Sequence, residues 1–492
     1  MKKLFILLII IATSYLNAWT RTYGGNGDEE GRCVKSTLDG GYIAVGYSNS
    51  YGTGEADVML IKTDSLGAKE WCRYYGSNEA EKGVAVIPVK NGGYVVLAQK
   101  FRLGNGAWDA WLFKTDSIGK MLWEKTFGGE CNDIVNALGV DTLGNFVAVG
   151  HTESYGSGGL DAWAFKTDSR GNLLWEKTFG DSKDDWFNTV YMLGSIPLVA
   201  GGTKSYGKGE SDMWWLSLHP KTGDVFMEKL WGDKEWDEVY SVIPTSRLLS
   251  KIVPGYLFVG VSTSWGVGDE NMIAYRTDTT FNYLYRRFIG ENNIDDRGYM
   301  IKEYPQGYYI VGITNITEDK NSGDLWLVAL TSSGSSPWKK TYGGSKRDVG
   351  NSIDLVTGTI GGAIITGYTE SFGKGGKDLW LLRVDSKGDT LAHAPWKPPD
   401  NPPNDTTKAK WTIYPNIGSY INLKYTALAA PLNIEVFDLL GCRVDELTLP
   451  KGSGSTMWGA NMASGIYFFI PKSQKSPQPL KVVISKDSFS EN

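Results

Sequence analysis

Acidic side chains recur along this chain of 492 residues at a fixed distance from a glycine. Glu29, Glu81, Asp133, Asp185, Asp237, Asp295 and Asp348 each stand five residues after Gly24, Gly76, Gly128, Gly180, Gly232, Gly290 and Gly343. A second series, Asp57, Asp109, Asp161, Asp212, Asp324 and Asp378, precedes an apolar run in each copy, with Asn271 taking its place once. Carboxylate oxygens suit a hard cation, and Ca2+ takes roughly six to eight of them. Loops need the same residue type, because Asp accepts backbone N–H bonds. An acid present in every copy reads first as such a loop support. The spacing matches neither an EF-hand nor a nonapeptide calcium repeat. No cofactor is expected, and Ca2+ is the one ion these acids could hold.

Trp108, Trp186, Trp236 and Trp265 fall outside the positions at which other tryptophans repeat. Exposed rings stack on sugars or anchor a protein partner, so these four are the candidate ligand-binding residues. Trp111, Trp163, Trp214, Trp326 and Trp380 recur in register and read as packing. Catalysis has less support. His151, His219 and His393 are scattered, so neither a Ser-His-Asp triad nor a His-rich metal site suggests itself. Glycoside cleavage needs one carboxylate pair, and the many equivalent acids single none out. The chain is expected not to be an enzyme.

These residues sit within an internal repeat. The seven glycines are 52, 52, 52, 52, 58 and 53 residues apart, and the copies cover residues 19–394. Each copy reads as four short strands. In the first they are 31–38, 42–47, 57–63 and 69–75, with tight turns at Asp39-Gly40-Gly41 and Asp64-Ser65-Leu66-Gly67. Runs such as Tyr94-Val95-Val96-Leu97-Ala98 are apolar on both sides, whereas a half-exposed strand would alternate. Small sheets stacked around an axis bury both faces, so the expected fold is all-β, a seven-bladed β-propeller. The seventh copy lacks a fourth strand, and residues 19–23 have no strand before them. Residues 19–23 are therefore expected to close blade 7 and cover its edge. The long loops, with both acid series, open on one face and the tight turns on the other. The six-residue insertion near Leu248–Val253 falls on the tight-turn face.

The ends read differently. Lys2 and Lys3 precede the apolar run Leu4–Ala12, and a short polar stretch ends at Ala18, the pattern of a signal peptide over residues 1–18. No later stretch approaches the ~18 apolar residues of a membrane helix. Residues 395–409 hold five prolines and read as an extended linker. Residues 410–486 read as a small C-terminal β-sandwich. Cys33, Cys72, Cys131 and Cys442 lie at unrelated places in the pattern and suggest no disulfide framework. The net charge of −5 gives no electrostatic reason to bind nucleic acid.

The repeat resembles the bacterial and archaeal SBBP-type repeats, a seven-bladed β-propeller family. The shared features are Gly-Gly-x-x-x-Asp, the run Asp39-Gly-Gly-Tyr42-Ile-Ala-Val-Gly-Tyr47, and Asp109-Ala-Trp111-Leu-Phe-Lys-Thr-Asp116-Ser-Ile-Gly119. The tail is similar to the C-terminal sorting domain of the type IX secretion system. It carries Tyr414-Pro415-Asn416, Val436-Phe437-Asp438-Leu-Leu-Gly441-Cys-Arg443-Val444, Met462-Ala-Ser-Gly465-Ile-Tyr467 and Lys481-Val-Val-Ile-Ser-Lys486. Ile417 departs from the proline that often follows the first motif, and residues 487–492 run past the usual terminal lysine. The resemblance implies export, contact with the secretion machinery, and a secreted or outer-surface protein. The expected function is a binding module for glycan or protein. An envelope scaffold without a ligand, and a polysaccharide-degrading enzyme using the loop acids, are the alternatives.

Overall fold

The computed structural model describes residues 18–390 apart from 90–91, 105, 249–250, 266–269, 291–293, 317–321 and 357–361, and in several pieces residues 410–484. Residues 1–17 of the expected signal peptide, the expected linker 395–409, His393 and Cys442 lie outside the described residues. So do parts of the first three tail motifs and Lys486. The chain divides into two compact units, Met1–Ala394 and Pro395–Asn492.

The first unit is a seven-bladed β-propeller of seven four-stranded antiparallel sheets. Blade 1 runs Glu29–Ser36, Tyr42–Ser48, Asp57–Thr63, Lys69–Tyr75. Blade 4 runs Asp185–Leu193, Ile196–Thr203, Asp212–Leu218, Val225–Trp231, and blade 5 runs Asp237–Leu248, Lys251–Ser262, Asn271–Asp278, Tyr283–Ile289. In blade 7, Asp348–Leu355, Ala363–Thr369 and Asp378–Val384 are joined by Trp19–Tyr23, antiparallel to the third strand, with Trp19 opposite Arg383 and Tyr23 opposite Leu379. The Trp19 indole also donates to Ser65 O of blade 1 at 3.0 Å, so this strand ties the last blade to the first.

Middle strands are buried along their whole length, as in Asp161–Thr167 and Ala363–Thr369, because neighbouring blades cover both faces. Trp163 is fully buried. Removing about 200 Å² of ring from water is worth about 5 kcal/mol by area, an upper estimate. First strands of adjacent blades meet around the axis. Asn136, Asn188 and Asn351 each donate to a backbone carbonyl of the next first strand: Phe187 at 2.9 Å, Val239 at 3.0 Å and Gly31 at 2.8 Å. These asparagines belong to a set the repeat does not announce. Each first strand has a bulge, at Arg32, Val84, Asn136, Asn188, Tyr240, Tyr299 and Asn351. A bulge adds one unpaired residue and re-aims its side chain.

The C-terminal unit has a three-stranded and a five-stranded sheet. Leu423 and Trp458 of the first and Ile434, Val436 and Phe469 of the second share one core.

Candidate functional site

The loop acids are accounted for within the fold. Glu29 is fully buried and accepts the Gly25 N–H at 2.6 Å, the Ser48 hydroxyl at 2.7 Å and the Ser50 N–H at 3.1 Å. Asp133 accepts from Gly129 N–H at 2.6 Å, the Ser154 hydroxyl at 2.7 Å and the Thr152 hydroxyl. Asp185, Asp237 and Asp348 bind the equivalent N–H and serine, and Glu81 binds Ser77 twice. Glu29, Asp133, Asp185, Asp237 and Asp348 thus each staple two long loops, while Glu81 holds only the loop that leads into it. In blade 6 the equivalent position is held by Asp296, not Asp295. Gly298 pairs with Gly312 as Gly31 pairs with Gly46, and the loop before it is one residue longer. Asp296 is buried and donates its N–H to Glu270 O, while Asp295 accepts the Glu270 N–H from the loop surface.

The second series wraps its own loop. Asp57 accepts from Thr53 and Gly54 N–H at 2.9 and 3.0 Å, and Asp378 from Lys374 and Gly375 at 2.8 and 3.0 Å. Gly52 and Gly373 lie at φ 115° and 105°, which lets the loop fold back onto the carboxylate. Carboxylates of the two series meet beside the glycine that closes each outer strand. A Cβ on Gly128 would strike both Asp109 and Asp133. Burial pushes the Asp109 carboxyl up to about 6, against the pull of Arg102 at 2.5 Å and with the push of Asp133. Paired carboxylates of this kind could serve acid–base chemistry. Here both are buried; Asp133 accepts N–H and O–H donors of the loops, and Asp109 faces Arg102. Ca2+ does not fit such surroundings, since its ligands must point oxygen lone pairs at one centre. Among the described residues no three acidic, His or Cys side chains converge as a metal site.

Among the described residues no ring contact joins any two of the four singled-out tryptophans. Trp108 packs edge-on to Phe101 with Lys82 5.4 Å from its ring centre. Trp186 donates to Glu238 at 2.6 Å, and Trp236 lies under Arg297 at 5.6 Å. Trp265 does not stand outside the repeat. Its N–H bonds Ser262 as those of Tyr51, Tyr155, Tyr206 and Phe372 bond Ser48, Thr152, Thr203 and Thr369. It is the loop aromatic of blade 5, enlarged to Trp.

Around the axis lies a polar network that sequence reasoning missed. Glu238 accepts from Trp186 and Asn188 at 2.6 Å each and from Tyr240 at 3.0 Å, and burial raises its pKa. Across the ring Glu30 meets Arg32 at 2.8 Å and Lys377 at 3.5 Å. The signal was available: the residue after each repeated acid varies as Glu30, Lys82, Ile134, Trp186, Glu238, Arg297 and Val349. These groups are mutually satisfied, so the network braces the central opening.

The open feature is a groove of about 540 Å³ between blades 4 and 5. Trp231, Trp265, Tyr275 and Tyr283 supply its rings, and Lys208 and Arg286 its cations. Trp231 and Tyr275 centroids are 5.1 Å apart, and Tyr275 and Tyr283 are 5.5 Å apart. Arg286 lies opposite Tyr275 in the sheet and stacks 4.5 Å from the Trp265 ring centre. Tyr283 begins the outer strand and is 56% exposed, while Lys208 and Trp265 sit in loops of the opposite face. The groove therefore runs down the outer flank of the propeller. Of the four candidate tryptophans, only Trp265 lines it.

No protein-family model matches the chain. Over 180 residues, 32% of this chain, it is 27% identical to the regulatory protein FlaEY of Caulobacter vibrioides and spans only 19% of that relative's length. Among solved structures it is similar to PorZ, an essential bacterial surface component of the type IX secretion system of Porphyromonas gingivalis. That match has 12% identity and a TM-score of 0.41, and covers 94% of this chain and 60% of PorZ. The Pan2 WD40 domain of Neurospora crassa matches at 10% identity and a TM-score of 0.46, over 74% of this chain and 96% of that domain. An α-L-arabinofuranosidase of Fusarium graminearum matches at 10% identity and 0.38, over 61% and 92%. These likenesses bear on fold and leave function to the site itself.

Proposed function

We propose that this chain is an exported surface protein whose propeller binds glycan along the groove between blades 4 and 5. The groove carries the reading. In it open volume, several aromatic rings and two cationic side chains occur together. Its size lies within the ~300–1,000 Å³ of ligand pockets. Aromatic faces bind the apolar faces of sugars, and flanking cations and hydroxyls fix orientation. Export rests on the signal-peptide pattern of residues 1–18 and on the resemblance of residues 410–486 to a type IX sorting domain. Membership of the SBBP-type repeat family is part of the same proposal. The loop acids are buried and most of them hold their own loops, which supports a binding role over a hydrolytic one.

The test is a glycan array probed with residues 19–492 and with the variants Tyr283→Ala and Trp265→Ala. Binding by the parent chain, weakened about tenfold or more by each variant, is expected; tenfold is about 1.4 kcal/mol. Silence of the parent chain across the array would remove the glycan reading and leave a protein partner or a scaffold role. Release of reducing ends from a bound polymer would turn it toward an enzyme.

A further inference from the structure

We infer that the groove takes an acidic polysaccharide segment, whose carboxylate or sulfate pairs with Arg286 while neighbouring sugar rings lie on the groove aromatics. This inference rests on the glycan reading above and names its ligand class.

Arg286 supplies the cation at the middle of the groove. Its guanidinium is held 4.5 Å from the Trp265 ring centre and 5.6 Å from that of Phe288. Stacking of this kind fixes the plane of the group and leaves its N–H edge for a partner, and that edge matches carboxylate or sulfate oxygens two at a time. Among the described residues Arg286 makes no ion pair, unlike Arg32, Arg102 and Arg297. Lys208 adds a second, exposed cation on the blade 4 side of the groove. The one acid lining the groove, Asp212, is committed to the Lys208 and Gly209 N–H groups at 2.8 and 3.0 Å. The groove thus presents positive charge beside aromatic surface.

Shape points the same way. Tyr283 and Arg286 lie three residues apart on one outer strand, and Lys208 and Trp265 lie in the loops beyond its far end. At ~3.4 Å per strand residue, the lining stretch from Tyr283 to Arg286 covers about 10 Å, and the loop residues Lys208 and Trp265 extend it. That length suits several linked sugars better than one terminal unit. The whole chain carries a net charge of −5, so diffuse attraction to an acidic polymer is not available. Binding would have to be local to this groove.

The test uses residues 19–492 with polygalacturonate, alginate and dextran sulfate, each beside a neutral counterpart: carboxyl-reduced polygalacturonate, carboxyl-reduced alginate and dextran. At least one acidic polymer should bind at least tenfold more tightly than its neutral counterpart, and 0.5 M salt should erase much of the difference. Preference for dextran sulfate alone assigns sulfate, and preference for the other two assigns uronate. Arg286→Gln should lose that preference, Arg286→Lys should keep part of it, and Lys208→Gln should weaken it without touching the Trp265 stack. Unfolding midpoints unchanged within a few degrees keep the comparison free of misfolding. Equal binding of acidic and neutral polymers, or full preference in Arg286→Gln, would overturn the acidic assignment while leaving the glycan reading standing. No binding to any polymer here or on the array would overturn both.

Discussion

A carboxylate with three donors around it and no water behaves differently from one on a surface, and the loop acids turn on that difference. Asp133 is fully buried and accepts two hydroxyls and one N–H from two loops. Asp133→Ala would leave these donors unmet, at about 1–3 kcal/mol for each buried group that water cannot reach. We expect a loss of several kcal/mol by urea unfolding, and no change in melting temperature on adding EDTA to the parent chain. A fall in stability with EDTA would return the acids to metal binding. Asp109 makes a separate prediction in pH. Its folded value of about 6 lies above that of an unfolded carboxylate, so the native state holds the proton more tightly. Stability from this group is present in acid and falls as pH rises from about 4 to about 6. The stability of Asp109→Asn relative to the parent should therefore improve between pH 4 and pH 7. A constant difference across that range would show that the carboxyl titrates normally.

At the scale of strands, ring closure depends on five residues, Trp19–Tyr23. They cover the edge of Asp378–Val384 and tie it to blade 1 through the Trp19–Ser65 and Arg21–Leu66 hydrogen bonds at 3.0 and 2.9 Å. Trp19 is only 7% exposed. Trp19→Ala should cost about 3–5 kcal/mol in urea unfolding. Deleting residues 19–23 should expose an unpaired edge and give self-association on size-exclusion chromatography. A deletion that stays monomeric with unchanged stability would contradict this closure. The seven blades were legible because the closing glycines, the Asp-Ser-x-Gly turns and the two-sided apolar runs recur with one period. The bulges at Asn136, Asn188 and Tyr240 were not, since no residue type marks a bulge. Counting five from Gly290 gave Asp295, because a one-residue loop insertion leaves the count intact and moves the buried position to Asp296. Trp265 read as an exception because Trp replaced Tyr or Phe at a repeated place.

For the whole molecule, the site is a product of neighbouring blades and was beyond reach of a repeat alignment. Lys208 and Trp231 come from blade 4, and Trp265, Tyr275, Tyr283 and Arg286 from blade 5. Apart from Trp265, none of them stands out within its own copy, and the groove exists only once the two blades stack. What every copy shares packs the sheets and supports the loops, so the proposed groove draws on the residues in which neighbouring copies differ. Glycan is expected in this flank groove and not in the loop-rich mouth around the axis. Hydroxyl-radical footprinting of residues 19–492, with and without the tightest-binding polysaccharide, tests it most directly. Protection of Trp231, Trp265 and Tyr283, with Trp108 and Trp186 oxidised as before, is the predicted result. Protection centred on Trp186 and Trp236, with the groove residues unchanged, would contradict it.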